Sequence, residues 1–270
     1  MTVVALVTDF GLKDPYVGMM KAVILSINPN AVIVDLTHDI PKYNVVLASH
    51  ILKVSYKYFP KGTVFVVVVD PGVGSRRRPI IITSRNYLFV GPDNGVLIPA
   101  AKDDGLLNAY EINIKIAGLK KISYTFHGRD IFAPTAAYLS LGMPPDVLGH
   151  RLSPDELVST TELPEEPIIA AEGIRLKVIH IDDFGNLILN TNIEKFMKSL
   201  GVSYGDEVIV KVHSKEYRAL VVKTFSEVCK GCLAVYEGSF KLVELAKYLG
   251  SASRDLGINV NDYLTFRTLR

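Results

Sequence analysis

Four short polar segments of this 270-residue chain follow directly on apolar runs, and each carries side chains able to bind or activate a small molecule. Thr8-Asp9-Phe10-Gly11, followed by Asp14 and Tyr16, offers a carboxylate that can accept hydrogen bonds from both hydroxyls of a ribose. Asp9 as a helix N-cap is the structural alternative. Leu36 to Pro41, followed by Tyr43, offers an aromatic ring able to stack on a purine, whereas His38 reads as a structural histidine in a turn fixed by Pro41. Asp70-Pro71-Gly72-Val73-Gly74-Ser75-Arg76-Arg77-Arg78 sets a carboxylate and a guanidinium seven residues apart across a Pro/Gly turn, where they can face one another. A salt bridge that only closes the loop is the alternative there, and a P-loop is excluded by the glycine spacing and the missing Lys-Ser/Thr. Thr125-Phe126-His127-Gly128-Arg129-Asp130 places His127 beside a glycine and charged residues, a setting for proton handling near neutral pH. Asp130 can equally be a first-turn carboxylate favoured by the helix dipole.

Asp9, His38, Asp70 and His127 together could instead bind a metal, but no single element shows ligand spacing. A metal-dependent hydrolase of another nucleoside derivative is therefore an alternative reading, and a non-catalytic nucleoside-binding module is a further one.

The elements that must hold these segments change character along the chain. Over the first 165 or so residues, near-continuous β-branched runs (Val3 to Val7, Ala31 to Leu36, Thr63 to Val69) read as strands buried on both faces. They alternate with helical stretches at Tyr16 to Asn28, where Val17, Met20, Ile24 and Ile27 recur at helical spacing, and at Val45 to Phe59. Strand, helix, strand, helix, strand predicts an α/β domain over 1–165 with a mainly parallel sheet. Further strands are expected at Ile80 to Thr83 and Tyr87 to Val90, and a helix at Arg129 to Leu141. Ser153 to Ala171, acidic with two prolines, reads as a linker. Beyond it, short strand-like runs at Ile174 to Ile181, Glu207 to Val212, Glu216 to Val222 and Cys232 to Tyr236 predict a smaller all-β, barrel-like domain over 172–270. One helix is expected there, at Lys241 to Tyr248.

With 49% hydrophobic and 21% charged residues the composition is that of an ordinary globular protein, and a net charge of +2 argues for neither a nucleic-acid nor a membrane partner. The N-terminus reaches Asp9 after one short apolar run, unlike a signal peptide, and no stretch approaches the roughly 20 apolar residues of a membrane span, so a cytoplasmic protein is expected. Abundant Ile, Val and Lys without Trp hint at a thermophile. Cys229 and Cys232 form a lone CxxC without the second pair of a zinc site, and a reduced turn or a local disulfide is expected.

TDFG, VDPGVGS with its following arginines, GPDNG at Gly91 to Gly95, FHGRD, and DDFGN at Asp182 to Asn186 occur in that order. As a set, over nearly the whole chain, they resemble the adenosine-forming S-adenosylmethionine hydrolases, relatives of the fluorinase and chlorinase enzymes. The resemblance implies a trimer with active sites between subunits, and attack of water on the ribose 5′ carbon to release L-methionine and adenosine, with neither metal nor organic cofactor required. It also implies that Asp70, Arg77 and His127 activate the water, with Arg78 a rival for the middle place. In halogenating relatives the Asp70 position is a tyrosine and the arginine is absent, so the pair favours water over halide. By the same resemblance Asp9 holds the ribose hydroxyls and Tyr43 stacks on the substrate. Asp182 (with Asp183 as its alternative) and Asn186 of a neighbouring subunit hold the methionine amine and the adenine, and Ser239 meets the methionine carboxylate. Phe240 departs from the pattern by replacing an arginine, and Lys241-Leu242 replaces a Gly-Tyr pair.

Overall fold

The computed structural model describes residues 2–119, 121–160 and 162–269, in two compact units that divide between residues 162 and 163. The first unit is a seven-stranded mixed sheet with helices. Its strands are β1 (Val3–Thr8), β2 (Val32–Thr37), β3 (Val64–Val68), β4 (Pro79–Ser84), β5 (Leu88–Pro92), β6 (Leu106–Ile112) and β7 (Gly149–Leu152), in the order β2-β1-β3-β5-β4-β6-β7. The β2-β1-β3-β5 half is parallel, and β4, β6 and β7 extend it antiparallel. β1 and β3 are almost wholly buried, as strands covered on both faces must be. β2, the third β-branched run and expected to be buried likewise, lies at the sheet edge and is half-buried to exposed along its length.

Parallel pairing has a consequence for chemistry. The loops after β1, β2, β3 and β5 all leave the sheet at its carboxyl edge, where open α/β sheets bind ligands. Those four loops begin at Asp9, His38, Val69 and Asp93. The helix Tyr16–Ile27 buries the predicted Val17, Met20 and Ile24, and the helix Val45–Ser55 is N-capped by Asn44, whose side chain accepts from the Leu47 N–H at 3.0 Å. At the expected third helix, one π-helical turn, Gly128–Phe132, leads into the α-helix Ala133–Ser140. The backbones of β3 and β5 approach so closely at one point that a Cβ on Gly91 would sit 2.5 Å from the Val67 carbonyl oxygen.

The second unit is a seven-stranded barrel with an eighth strand outside the ring. Its strands are β8 (Ile168–Ala170), β9 (Gly173–Ile181), β10 (Leu187–Leu189), β11 (Glu207–Val212), β12 (Lys215–Val221), β13 (Leu233–Glu237), β14 (Val243–Lys247) and β15 (Tyr263–Thr268). They run β10-β14-β13-β12-β11-β15-β9, and the β10–β9 pairing closes the ring while β8 lies outside it on β9. β8 falls within the stretch expected to be linker. Cys229 and Cys232 are disulfide-bonded.

One element differs in type from expectation. Lys241 to Tyr248, expected as a helix, contains β14, paired with β13 and β10. Val243 and Leu245 enter the barrel core while Ala246 joins a smaller cluster with Val222, Val228, Ala234 and Tyr236, so both faces are covered and the two-residue alternation is hidden. Across the pair, the Tyr236 hydroxyl donates to the Glu244 carboxylate at 2.6 Å, a contact that helical Glu244 would forgo.

Gly91→Ala should destabilise the first unit by about 1–3 kcal/mol, because the new Cβ is fixed rigidly to one strand and the oxygen it meets is backbone of the next, so neither can yield. A thermal unfolding midpoint equal to that of the parent protein would refute the close approach of β3 and β5.

Candidate active site

A pocket of about 270 Å³ opens at the carboxyl edge of the parallel strands, walled by Asp9, Asp14, Tyr16, Tyr43, Asp70 and His127 among others. It unites six of the residues singled out in the sequence, and Arg77 stands behind two of them.

Asp9 follows β1 and is buried. Its Oδ2 accepts from the Tyr43 N–H at 2.9 Å, and the Lys42 ammonium donates to its backbone carbonyl. The loop is held from beneath by Gly11, whose N–H donates to the His38 carbonyl at 2.8 Å. His38 itself faces inward, with Nδ1 2.9 Å from Thr8 Oγ1 and Nε2 3.0 Å from Asp35 Oδ1, and so serves as the structural residue expected of it. Tyr43 adopts a left-handed backbone (φ 65°) and exposes 70% of its surface at the pocket rim, free to cover a flat ligand. Phe10, Tyr16 and Phe126 pack at 5.2–6.0 Å between ring centres, Phe126 edge-on to each of the others and Phe10 tilted against Tyr16, and form an apolar wall.

The loop after β3 turns back on itself twice, through Val73 N–H to Asp70 carbonyl (3.3 Å) and Ser75 N–H to Gly72 carbonyl (3.1 Å). Gly74 is required in it on two counts: its φ is +78°, and a Cβ would lie 2.6 Å from the Tyr124 carbonyl oxygen. The double turn lays Arg77 against Asp70. Arg77 Nε lies 3.1 and 2.9 Å from the two carboxylate oxygens, and Nη2 also donates to Oδ2. The two side chains are only 9% and 5% exposed, so the pair is withdrawn from water. The same Nη2 lies 2.8 Å from His127 Nδ1, and the guanidinium covers the Phe132 ring at 5.2 Å.

That contact fixes the imidazole. A guanidinium has donors only, so Nδ1 must be the acceptor and the ring proton resides on Nε2. Protonating Nδ1 would set two donors against each other. Burial, and then the Arg77 charge, hold His127 below the ordinary histidine value, against opposing pulls from Asp70 and Asp130. His127 in the folded protein is thus a neutral donor at Nε2.

Arg78, the rival arginine, turns away to Asp93, with Nη2 at 2.6 Å, and to the Glu156 carbonyl. Asp130 is fully buried, accepting from Arg129 and, at 2.7 Å, from the Ser123 N–H. It organises the loop that presents His127 and does not face the pocket.

The remaining predicted residues belong to the second unit. Asp182 accepts from the Asn186 N–H at 2.8 Å and Nδ2 at 2.9 Å, closing the turn Asp182 to Asn186, and Ser239 sits in the exposed turn between β13 and β14. Lys42 is a pocket residue that sequence reasoning passed over; its signal was position alone, between Pro41 and Tyr43. Among the described residues no group of three or more His, Cys, Asp or Glu is arranged to hold a metal ion, and no helix is long and apolar enough to cross a membrane.

The chain matches the SAM hydroxide adenosyltransferase family through profiles of both its domains, the N-terminal one over residues 4–149 and the C-terminal one over residues 176–265. It is 37% identical to an (R)-S-adenosyl-L-methionine hydrolase of Thermus thermophilus over 93% of this chain and 94% of the relative. It is 28% identical to a fluorinase of Nocardia brasiliensis over 76% of each chain. Among solved structures, a conserved protein of Thermotoga maritima is similar with a TM-score of 0.84 and 40% identity, over 97% of this chain and 99% of that one.

Arg77→Ala should raise the His127 pKa, since it removes a cation and leaves the Asp70 carboxylate uncompensated; both changes favour imidazolium. Arg78→Ala should leave it unchanged. Histidine titration followed by NMR checks both, and an unshifted His127 in Arg77→Ala would contradict the geometry.

Proposed function

This chain belongs to the SAM hydroxide adenosyltransferase family, and we propose that it hydrolyses S-adenosyl-L-methionine to adenosine and L-methionine. The observation that carries this reading is the continuous chain from Asp70 through Arg77 to His127, with the carboxylate and imidazole both on the pocket wall. Near-full-length similarity to (R)-S-adenosyl-L-methionine hydrolases supports the substrate.

In this reaction water oxygen bonds to the ribose 5′ carbon as the carbon–sulfur bond breaks, and the bonding pair stays on sulfur as the thioether of methionine. A sulfonium leaves without protonation, so no general acid is needed. The requirement is a water held in line, and such positioning can contribute roughly 7–11 kcal/mol. His127 donates from Nε2 to the water oxygen and aims it. Asp70 takes the proton, because a water that is bonding to carbon becomes strongly acidic and a carboxylate is then a sufficient base. Arg77 holds both groups and compensates the carboxylate charge. Asp9 accepts from the ribose hydroxyls, Tyr43 stacks on the substrate, and Asp14 and Tyr16 complete the wall.

The pocket of about 270 Å³ is small beside the ~300–1,000 Å³ typical of ligand sites. This favours completion by a second copy, with Asp182 and Asn186 holding the amine and adenine and Ser239 the carboxylate, in a homotrimer. Exposed aromatics support such association: Phe184, between Asp182 and Asn186, is 79% exposed, and Tyr124, near the pocket loops, is 86% exposed.

Chromatography of the protein incubated with S-adenosyl-L-methionine should show adenosine and methionine, equally with and without EDTA. No adenosine under either condition would overturn the assignment, and loss of activity with EDTA would favour the metal-dependent reading. Asp70→Ala and His127→Ala should each lower turnover at least about a hundredfold, or ~2.7 kcal/mol of barrier. Activity should fall with pH only below the ordinary histidine range, as His127 protonates at Nδ1 and loses its bond from Arg77. Light scattering should give a trimer, and Phe184→Asp should reduce both assembly and turnover.

A further inference from the structure

The segment Gly91 to Gly95 contributes nothing to the pocket wall, yet two of its neighbouring side chains grip both ends of the loop that carries Asp70 and Arg77. Asn94 Nδ2 donates at 2.9 Å to the carbonyl of Val69, the peptide unit that leads into Asp70. The amide is held in that sense by its own oxygen, which accepts from the Val96 N–H at 3.2 Å. Asp93 meets the other end. Its Oδ2 accepts from Arg78 Nε at 2.9 Å and Nη2 at 2.6 Å, and its N–H donates to the Arg78 carbonyl at 2.9 Å. Its Oδ1 accepts from the Val158 N–H at 2.9 Å, so the buried carboxylate is anchored on a third segment.

We propose that Asp93 and Asn94 form a clamp of positioning residues that sets the Asp70–Arg77–His127 geometry. The inference rests on the reading of those three as the water-activating set. β3 ends at Val68, so the Val69 carbonyl lies past the strand, and Asn94 supplies a donor there from a side chain. Rotation of that peptide swings the Asp70 carboxylate. At the far end, Arg78 is fixed by side chain and backbone together, which limits where Arg77 can begin its reach. Arg77 must meet a carboxylate and an imidazole at once, and a displacement near 1 Å can cost roughly a hundredfold in rate.

The test combines turnover with the tautomer of His127. In selectively ¹⁵N-histidine-labelled protein, wild type should show His127 with a bare Nδ1 and a protonated Nε2, a signal identified by its loss in His127→Asn. Asn94→Ala and Asn94→Asp both remove the donor to Val69, and Asn94→Asp keeps the acceptor for Val96, so it carries the test should Asn94→Ala not fold. In each, the two nitrogens should average between tautomers. Turnover number for S-adenosyl-L-methionine should fall roughly tenfold to a hundredfold with KM nearly unchanged. In an Arg77→Ala background the further loss should be small. A wild-type tautomer and turnover number in folded Asn94→Asp would overturn the clamp, as would a loss that simply multiplies with that of Arg77→Ala. If wild type leaves the substrate intact, the functional reading fails, and the imidazole signals still decide whether the clamp exists.

Discussion

The site depends on a group that can only donate. Arg77 stands between a carboxylate and an imidazole, and because a guanidinium never accepts a hydrogen bond, its position dictates the state of both neighbours. Asp70 must accept, and His127 must offer a bare Nδ1. Lysine would not substitute, since one ammonium cannot present the planar fork that spans two carboxylate oxygens and a ring nitrogen together. Burial makes the arrangement strict: an unpaired charge at this depth is far costlier than at the surface, so the three groups keep or lose their geometry jointly.

The fold meets this requirement by direction more than by proximity in sequence. Four parallel strands release their loops at one edge, which brings the segments after β1, β2, β3 and β5 together although they are spread over some ninety residues. Two of those loops wall the pocket, a third adds Tyr43, and the fourth braces the third strand's loop from behind. His127 arrives from elsewhere, on the turn before a π-helical segment whose buried Asp130 ties down the preceding loop. Single π-turns within helices often accompany functional sites, and here the irregularity lies directly after the imidazole.

How much of this was legible in the sequence varied with the range of the interactions involved. β1 and β3 were readable as buried strands because full burial selects uninterrupted β-branched runs. β2, an equally β-branched run, is an edge strand and only half-buried, since strand order is set by partners and not by composition. β14 was not readable, since a barrel strand covered on both faces loses the alternation that distinguishes it from a helix, and its identity lies in its partners β13 and β10. That Asp9, Tyr43, Asp70 and His127 gather round one pocket was foreshadowed by their places in polar segments close behind apolar runs, although the same positions also offered structural roles such as the one His38 fills. Sequence could not separate Arg77 from Arg78, which differ by one position. The distinction comes from the double turn at Val73 and Ser75, which points one inward and delivers the other to Asp93. Asn94 was invisible as a brace for the same reason: its partner is a backbone carbonyl, which no residue type encodes.

The tautomer imposed on His127 also bears on how the proposed reaction divides its work. Were the imidazole the base, its protonation would put a second cation beside Arg77, and its one bare nitrogen, Nδ1, is already taken by that guanidinium. With the proton passing to Asp70, the positive charge that sulfur loses reappears only as the neutralisation of a carboxylate, and no new cation forms beside Arg77. A buried site reorganises least when charge moves between groups already held in place. Arg77 then has one task throughout: it keeps the carboxylate and the imidazole in fixed roles while the bond between carbon and sulfur is exchanged for one between carbon and oxygen.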